Sequence, residues 1–246
     1  MKPALFFLLP ALLLAQGRGG RGAGRAPAPQ PAKASAPFDL SGYWVSQIVD
    51  EWRFRVSPQK GDIPYLPLNQ AARQIANAWD PDKDQADGKA CKAYGAVGVM
   101  QRPGRLHIDW EDDNTLKLEA DAGTQTRTFH FGSAQASKGE ASWQGYSTAQ
   151  WLRPGGRGAL PGGGQLKIVT TGMLPGYIRK NGVPYSGNAV LTEYFNRLDG
   201  AQGDAYISVT SMLEDPTYLT QPFVRSYQFK KQADAKGWDP TPCLPR

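Results

Sequence analysis

Apolar and polar residues alternate along residues 105–131 with the two-residue period of half-buried β-strands. Polar turn clusters at 112–114 and 122–123 divide this segment into three strands, and such short connections favour antiparallel pairing. Leu116 and Leu118 alternate with charged residues, as apolar and polar residues do throughout the segment. The pattern therefore predicts three neighbouring strands with one apolar face and one polar face.

Further strand-like segments precede and follow this one. They span residues 38–49, 51–56, 93–100, 143–152, 165–173, 189–198, 205–213 and 224–231. The one predicted helix covers residues 69–79, with Asn69 as its N-cap, and residues 80–88 are predicted to be a solvated loop. We therefore predict a mainly β fold: an antiparallel barrel, favoured over a sandwich, or a strongly curved sheet of about 8–10 strands with one short helix.

The N-terminus has a different composition. Lys2 followed by an apolar run of about 11 residues predicts a signal peptide over residues 1–15, because the run is too short to span a bilayer. Residues 16–37 are rich in Gly, Arg and Pro and predict a disordered linker, and residues 38–246 form a single β-rich domain. We expect a bacterial protein that is periplasmic or secreted.

The formal net charge of +6 is concentrated in the N-terminal tail. Five of the 28 basic residues lie there without any acid, so the remaining 23 nearly balance the 22 acidic residues. A nearly neutral domain argues against nucleic acid as a partner. No integral membrane span is expected either.

The two cysteines of the chain, Cys91 and Cys243, are predicted to form a disulfide that ties the C-terminal end to the domain. Two Cys and two His, widely separated, do not have the spacing of metal ligands. We expect neither a metal nor another cofactor.

Both histidines lie in the 105–131 segment. His107 falls on the polar face with Asp109 and Asp121, and a neighbouring carboxylate can orient an imidazole for acid–base chemistry. The alternative is a solvated outer face with cross-strand ion pairs. His130 and Arg127 belong to opposite faces of the third strand, and the pattern leaves open which face points inward. The catalytic hypothesis requires a His–carboxylate pair at the bottom of a pocket.

Aromatic residues suggest a binding pocket instead. Candidate ligand-binding residues are Trp110, Trp143, Arg127 and Tyr146, and the expected ligand is small and apolar or aromatic. The alternative is that these aromatic side chains are core residues, as aromatics in β proteins usually are.

Two resemblances add to this picture. Most of residues 143–231 resembles a group of uncharacterised bacterial exported proteins. The segments that carry this resemblance are W-x-G-x-S at 143–147, LKIVTTGM, LTEYFNR and EDPTYLTQPF. This resemblance implies no function. Gly42-Tyr43-Trp44 is similar to the G-x-W segment of lipocalins. That resemblance implies an up-and-down barrel around a small apolar ligand, with Arg225 packed over Trp44.

Three functional hypotheses follow, in this order. The first is an exported β-barrel module that binds a small molecule. The second is a metal-independent acid–base enzyme (isomerase, hydratase or hydrolase) that uses His107 or His130 with a carboxylate. The third is a structural or surface-interaction protein, which predicts a filled barrel and an exposed apolar patch.

Overall fold

A closed barrel of nine strands forms the body of the protein, which confirms the predicted fold class. The computed structural model describes residues 30–132, 140–154 and 163–245, so the predicted signal peptide and residues 16–29 of the predicted linker lie outside the described residues. The strands are β1 (Gly42–Gln47), β2 (Arg105–Trp110), β3 (Thr115–Ala120), β4 (Gln125–Phe131), β5 (Tyr146–Leu152), β6 (Gln165–Thr171), β7 (Gly176–Arg179), β8 (Val183–Tyr185), β9 (Val190–Asp199), β10 (Ala205–Glu214) and β11 (Phe223–Gln232).

The order around the barrel is β1-β11-β10-β9-β6-β5-β4-β3-β2, and β2 pairs with β1 to close it. The prediction of a purely antiparallel barrel is wrong at one place, because β4 and β5 pair in parallel. Strands β7 and β8 form a separate hairpin. Its turn contains Gly182 at φ +82°, and a side chain at this position would collide with the indole of Trp79.

Four short helices lie on the described part of the chain, where the sequence predicted one. They are α1 (Trp52–Val56), α2 (Gln70–Ala78), α3 (Pro81–Ala86) and α4 (Ala96–Val99). The predicted helix is α2, and the Asn69 side chain accepts a hydrogen bond from the Ala72 amide as its N-cap. The segments predicted as strands at 51–56 and 93–100 and as a loop at 80–88 contain α1, α4 and α3 instead.

The barrel interior is filled with side chains. Arg127, Phe129 and Phe131 face inward, which decides the question that the sequence left open on β4. The fully buried interior residues also include Trp44, Ile108, Leu116, Leu118, Leu166, Ile168, Phe195, Ile207, Val209 and Phe229. These side chains meet inside the barrel and form a packed core among the described residues.

One end of the barrel is covered by aromatic rings and by the chain that precedes β1. Phe131 packs against Trp110 and Trp151, with ring centroids 5.5 and 5.4 Å apart. The Trp151 indole donates a hydrogen bond to the carbonyl of Ala32, which is itself buried. Residues 30–37, which the sequence assigned to the linker, therefore pack on the barrel.

The lipocalin resemblance is only partly matched at Trp44. Trp44 is buried as expected, but the cation above its ring is Lys231, whose Nζ is 5.3 Å from the ring centroid. The strand register pairs Trp44 with Lys231, whereas Arg225 lies six positions away on β11 beside Ser211. The expectation that Arg225 packs over Trp44 is therefore wrong.

The predicted disulfide between Cys91 and Cys243 is confirmed. It holds the C-terminal segment, residues 240–245, against the turn between β3 and β4. The Thr241 amide donates to the carbonyl of Asp121, and the hydroxyl of Tyr94 donates to the carbonyl of Leu244. This segment becomes one wall of the site described next.

Candidate functional site

His107 lies on the outer face of the barrel and is hydrogen-bonded to a carboxylate. Its Nδ1 is 2.9 Å from Oε2 of Glu119, and its ring stacks on Tyr43 with centroids 4.4 Å apart. Glu119 is the residue directly opposite on β3. The pair is therefore a cross-strand contact on the barrel surface, as the alternative interpretation of the polar face expected.

The other three candidate catalytic residues do not join this pair among the described residues. Asp109 is exposed, and its side chain accepts a hydrogen bond from the Trp110 amide. Asp121 is buried, and its Oδ1 accepts from the Arg105 amide at 2.7 Å. His130 stacks on Tyr146 on the outer face of β4, with centroids 4.9 Å apart. His130 lines an open depression with Asp112 and Asp113, but its ring nitrogen is in hydrogen-bond distance of the Thr128 hydroxyl and not of a carboxylate in the described part of the chain.

We predict a small, pH-dependent effect for Glu119→Gln. The hydrogen bond from His107 lowers the pKa of Glu119, so its charged form stabilises the fold above the ordinary carboxyl pKa, and this contribution is lost as the pH falls through the folded-state pKa. The pair is partly exposed, so the loss in unfolding free energy at pH 7 should be at most about 1 kcal/mol. Urea unfolding should show a lower unfolding free energy for Glu119→Gln than for the wild type at pH 7, and no such difference at pH 3. A decrease above about 2 kcal/mol at pH 7 would contradict a surface role for the pair.

The four candidate ligand-binding residues do not converge on one cavity. Trp110 packs at the aromatic end of the barrel, and Tyr146 lies outside beside His130. The Trp143 carbonyl accepts a hydrogen bond from the Ala96 amide, away from both. Arg127 is inside the barrel. The four residues remain candidates for ligand binding, but the structure does not bring them together into one site.

Arg127 forms an ion pair inside the barrel. Its Nη1 and Nη2 donate to the two carboxylate oxygens of Glu193 at 3.1 and 2.5 Å, and both side chains are about 1% exposed. Nη2 also contacts Oγ1 of Thr170 at 3.3 Å, and the Thr170 hydroxyl is 2.7 Å from that of Ser147. This network lies in the core and satisfies both Nη atoms of Arg127, while its Nε is buried without a partner among the described residues.

The strongest concentration of charge lies at the opposite end of the barrel from the aromatic rings. Three arginines, Arg55, Arg102 and Arg179, are 2%, 5% and 1% exposed. Arg55 comes from α1, Arg102 follows α4, and Arg179 ends β7. We call these three residues the arginine cluster. Arginine is rarely buried unless it is paired, so the cluster requires an explanation.

The carboxylates near the cluster are too few to balance it. Glu51 accepts from Arg179 at 3.4 Å and from Arg225 at 2.8 Å, so one acid serves two arginines. Asp50 lies 3.6 Å from Arg55 and is more than half exposed. Two acids therefore face four guanidinium groups, counting Arg102.

Hydrogen-bond donors of the cluster also lack acceptors within the described part of the chain. The buried nitrogens without a partner are Nη1 and Nη2 of Arg55, Nε and Nη2 of Arg102, and Nη1 of Arg179. A buried donor left unsatisfied costs about 1–3 kcal/mol, and more when it carries charge. Of these five nitrogens, Nη1 of Arg55 lies 3.6 Å from Asp50, so four have no acidic partner among the described residues, and an acceptor beside them would be stabilised.

Arg102 has the most unusual electrostatic surroundings. Burial lowers the pKa of Arg102 to about 10; Tyr94 and Tyr227 raise it, while Arg55 and Arg179 lower it further. No carboxylate is among these influences. An anion beside Arg102 would offset the repulsion between the three guanidinium groups and replace part of their lost hydration.

A cleft of about 210 Å³ gives access to the cluster. Its walls include Arg55, Arg102 and Lys180, the Tyr94 ring, and the C-terminal segment through Thr241, Pro242 and Leu244. Lys180 is the third cation of the cleft, which Arg179 does not line, and none of the lining residues is acidic. We call this space the cationic cleft. Its volume and charge suit a small oxyanion such as a phosphate, sulfate or carboxylate group.

This site has no local signal in the sequence. Arg55 and Arg102 stand beside apolar runs that were predicted to be strands, and Arg179 precedes a turn. The three residues are far apart in the chain and meet only because α1, α4 and the β7–β8 hairpin cover the same end of the barrel. An arginine embedded in an apolar segment is the only hint, and it is a weak one.

Comparisons with known proteins add no relative. No family model, no curated protein and no solved structure matches the chain. No helix among the described residues is long and apolar enough to cross a membrane. Over the same residues, no group of three or more His, Cys, Asp or Glu side chains is placed to hold a metal ion. The cationic cleft is the candidate functional site of this protein.

Proposed function

We propose that this protein is an exported β-barrel module that binds a small anionic ligand in the cationic cleft. Export is supported by the predicted signal peptide and by the disulfide, since such bonds persist in oxidising compartments. The barrel serves as a rigid frame, and the ligand binds at its end and not in its interior.

The observation that carries the proposal is the state of Arg102. This side chain is 5% exposed, has two buried nitrogens without acceptors, and lies near two tyrosines and two other arginines, with no carboxylate among these neighbours. A guanidinium presents a planar array of donors that matches an oxyanion with two oxygens side by side. Arg55 and Lys180 line the same cleft and supply further positive charge.

We predict that Arg102→Met abolishes anion binding without destabilising the free protein. Wild-type protein at an anion concentration of about one hundred times Kd should gain about 2.7 kcal/mol of stability. The variant loses a cation that repels its neighbours, so it should melt at the wild-type temperature or above when no anion is added. Thermal unfolding in phosphate and in sulfate, against chloride at equal ionic strength, measures both effects.

The matched control is Arg73→Met, which removes the same charge from the exposed surface of α2. It should keep the full response to phosphate. Sulfate and phosphate also stabilise proteins generally, because they are excluded from the protein surface. The test is therefore the difference between Arg73→Met and Arg102→Met in the thermal shift that the anion causes. An equal shift for the wild type and for Arg102→Met would overturn the proposal.

A further inference from the structure

A second depression adjoins the cationic cleft. It has a volume of about 500 Å³, and its lining includes Val56, Ser57, Pro58, Lys60, Trp79, Pro81 and Lys180. Val56 and Lys180 belong to both walls, so the two spaces are neighbours. We call the second one the annex.

The annex offers rings and aliphatic groups on rigid supports. The indole N–H of Trp79 donates a hydrogen bond to Asp84 at 3.1 Å and is therefore not free to bind a ligand. The Trp79 ring contributes carbon surface to the annex. Gly182 lies directly against the same indole and fixes its position. Pro58 and Pro81 add two further rings that cannot change their backbone angle φ.

Charge in the annex has one sign only. Lys60 and Lys180 line it, and no acidic residue does. Lys180 is also held toward the cationic cleft, because its Nζ is 5.7 Å from the centroid of the Tyr94 ring that lines that cleft. A ligand that spans both spaces would therefore meet cations in each of them, and the rings of Trp79, Pro58 and Pro81 in the annex alone.

We infer that the ligand is an amphipathic anion, namely an oxyanion head group attached to an apolar ring. The head group binds to Arg102 and Arg55 in the cationic cleft, and the ring packs between Trp79 and Pro58 in the annex. The cleft alone, at about 210 Å³, is smaller than the usual range of about 300–1,000 Å³ for ligand sites, whereas the annex, at about 500 Å³, is large enough for a ring. This inference rests on the proposed function and specifies its ligand class.

The test compares inorganic phosphate with phenyl phosphate on the full mature chain by titration calorimetry. Phenyl phosphate should bind at least about tenfold more tightly, because its ring is transferred from water to apolar surface. Ser57→Trp places a bulky side chain at the rim of the annex and should remove this advantage while leaving phosphate binding unchanged. Ser57→Ala is the matched control and should behave as the wild type.

The possible results separate the inference from the proposed function. Equal affinity for phosphate and phenyl phosphate, both lost in Arg102→Met, would overturn the inference and leave the anion site intact. Failure of both to bind would overturn the proposed function itself. A crystal structure of the phenyl phosphate complex checks the pose independently: the ring must contact Trp79, and a ring in solvent would refute the inference even if the affinity rises.

Discussion

Replacing Glu193 with Gln is expected to lower the unfolding free energy by about 3–5 kcal/mol. The change leaves the Arg127 guanidinium charged inside the barrel, where both side chains are about 1% exposed. Breaking one side of a buried ion pair is costly because the remaining charge has lost its hydration and its partner together. Urea unfolding, followed by tryptophan fluorescence, measures the loss.

The double variant Arg127→Met/Glu193→Leu is the informative control. It removes both charges and replaces them with apolar side chains, so most of the lost stability should return, and the double variant should approach or exceed the wild type. The sum of the two single losses would then greatly exceed the loss in the double variant. A double variant as unstable as Glu193→Gln would contradict the view that this pair is a structural part of the core.

The same experiment bears on where a ligand can bind. If the pair is structural, the double variant should retain the response to phosphate, because the cationic cleft lies at the barrel end around Arg102. The barrel interior and the site would then be separable, the first providing stability and the second providing recognition. This division agrees with the packed side chains that fill the centre of the barrel.

Period-two alternation predicted most of the sheet correctly. Strands such as β3, with Leu116, Leu118 and Ala120 pointing inward, have one buried and one solvated face, and this arrangement is visible in sequence. Short turns correctly indicated antiparallel neighbours for β2, β3 and β4. The parallel pairing of β4 with β5 was not predictable in this way, because it depends on which distant strand edges meet.

The helices were missed for a different reason. Residues 93–100 are all buried, so their apolar run has no polar face, and a buried helix then resembles a buried strand. For α3 the signals were present: Pro81 stands at its first turn, and the Asp80 side chain accepts from the amides of Asp82 and Lys83 as an N-cap. The carboxylates of this segment were interpreted as a solvated loop instead.

The site could not be predicted from the sequence because it has no local pattern. Arg55, Arg102 and Arg179 belong to three separate elements, and their burial is a property of the packed barrel end. Glu193 pairs with Arg127 across 66 residues, a separation that no local pattern reveals. Imidazole is reactive, yet His107 forms a surface pair with Glu119.

Removing the disulfide by Cys91→Ala/Cys243→Ala is expected to cost about 2–5 kcal/mol of stability. The two cysteines are 152 residues apart, so the bond closes a long loop and strongly restricts the unfolded chain. Urea unfolding of the wild type with and without reductant should show a loss of the same size. Reductant should not change the double variant, which makes that variant its own control.

The disulfide also connects stability to the site. Cys243 lies between Pro242 and Leu244, and both of these residues line the cationic cleft, so the double variant should bind phosphate more weakly because this wall is less firmly held. Replacing Tyr94 with Phe loses the hydrogen bonds to Leu244 but keeps the ring, and it should weaken binding less than loss of the disulfide does. Unchanged phosphate affinity in a fully reduced, folded protein would show that the C-terminal segment is not a functional wall. The ligand would then be held by Arg55, Arg102 and Lys180 alone.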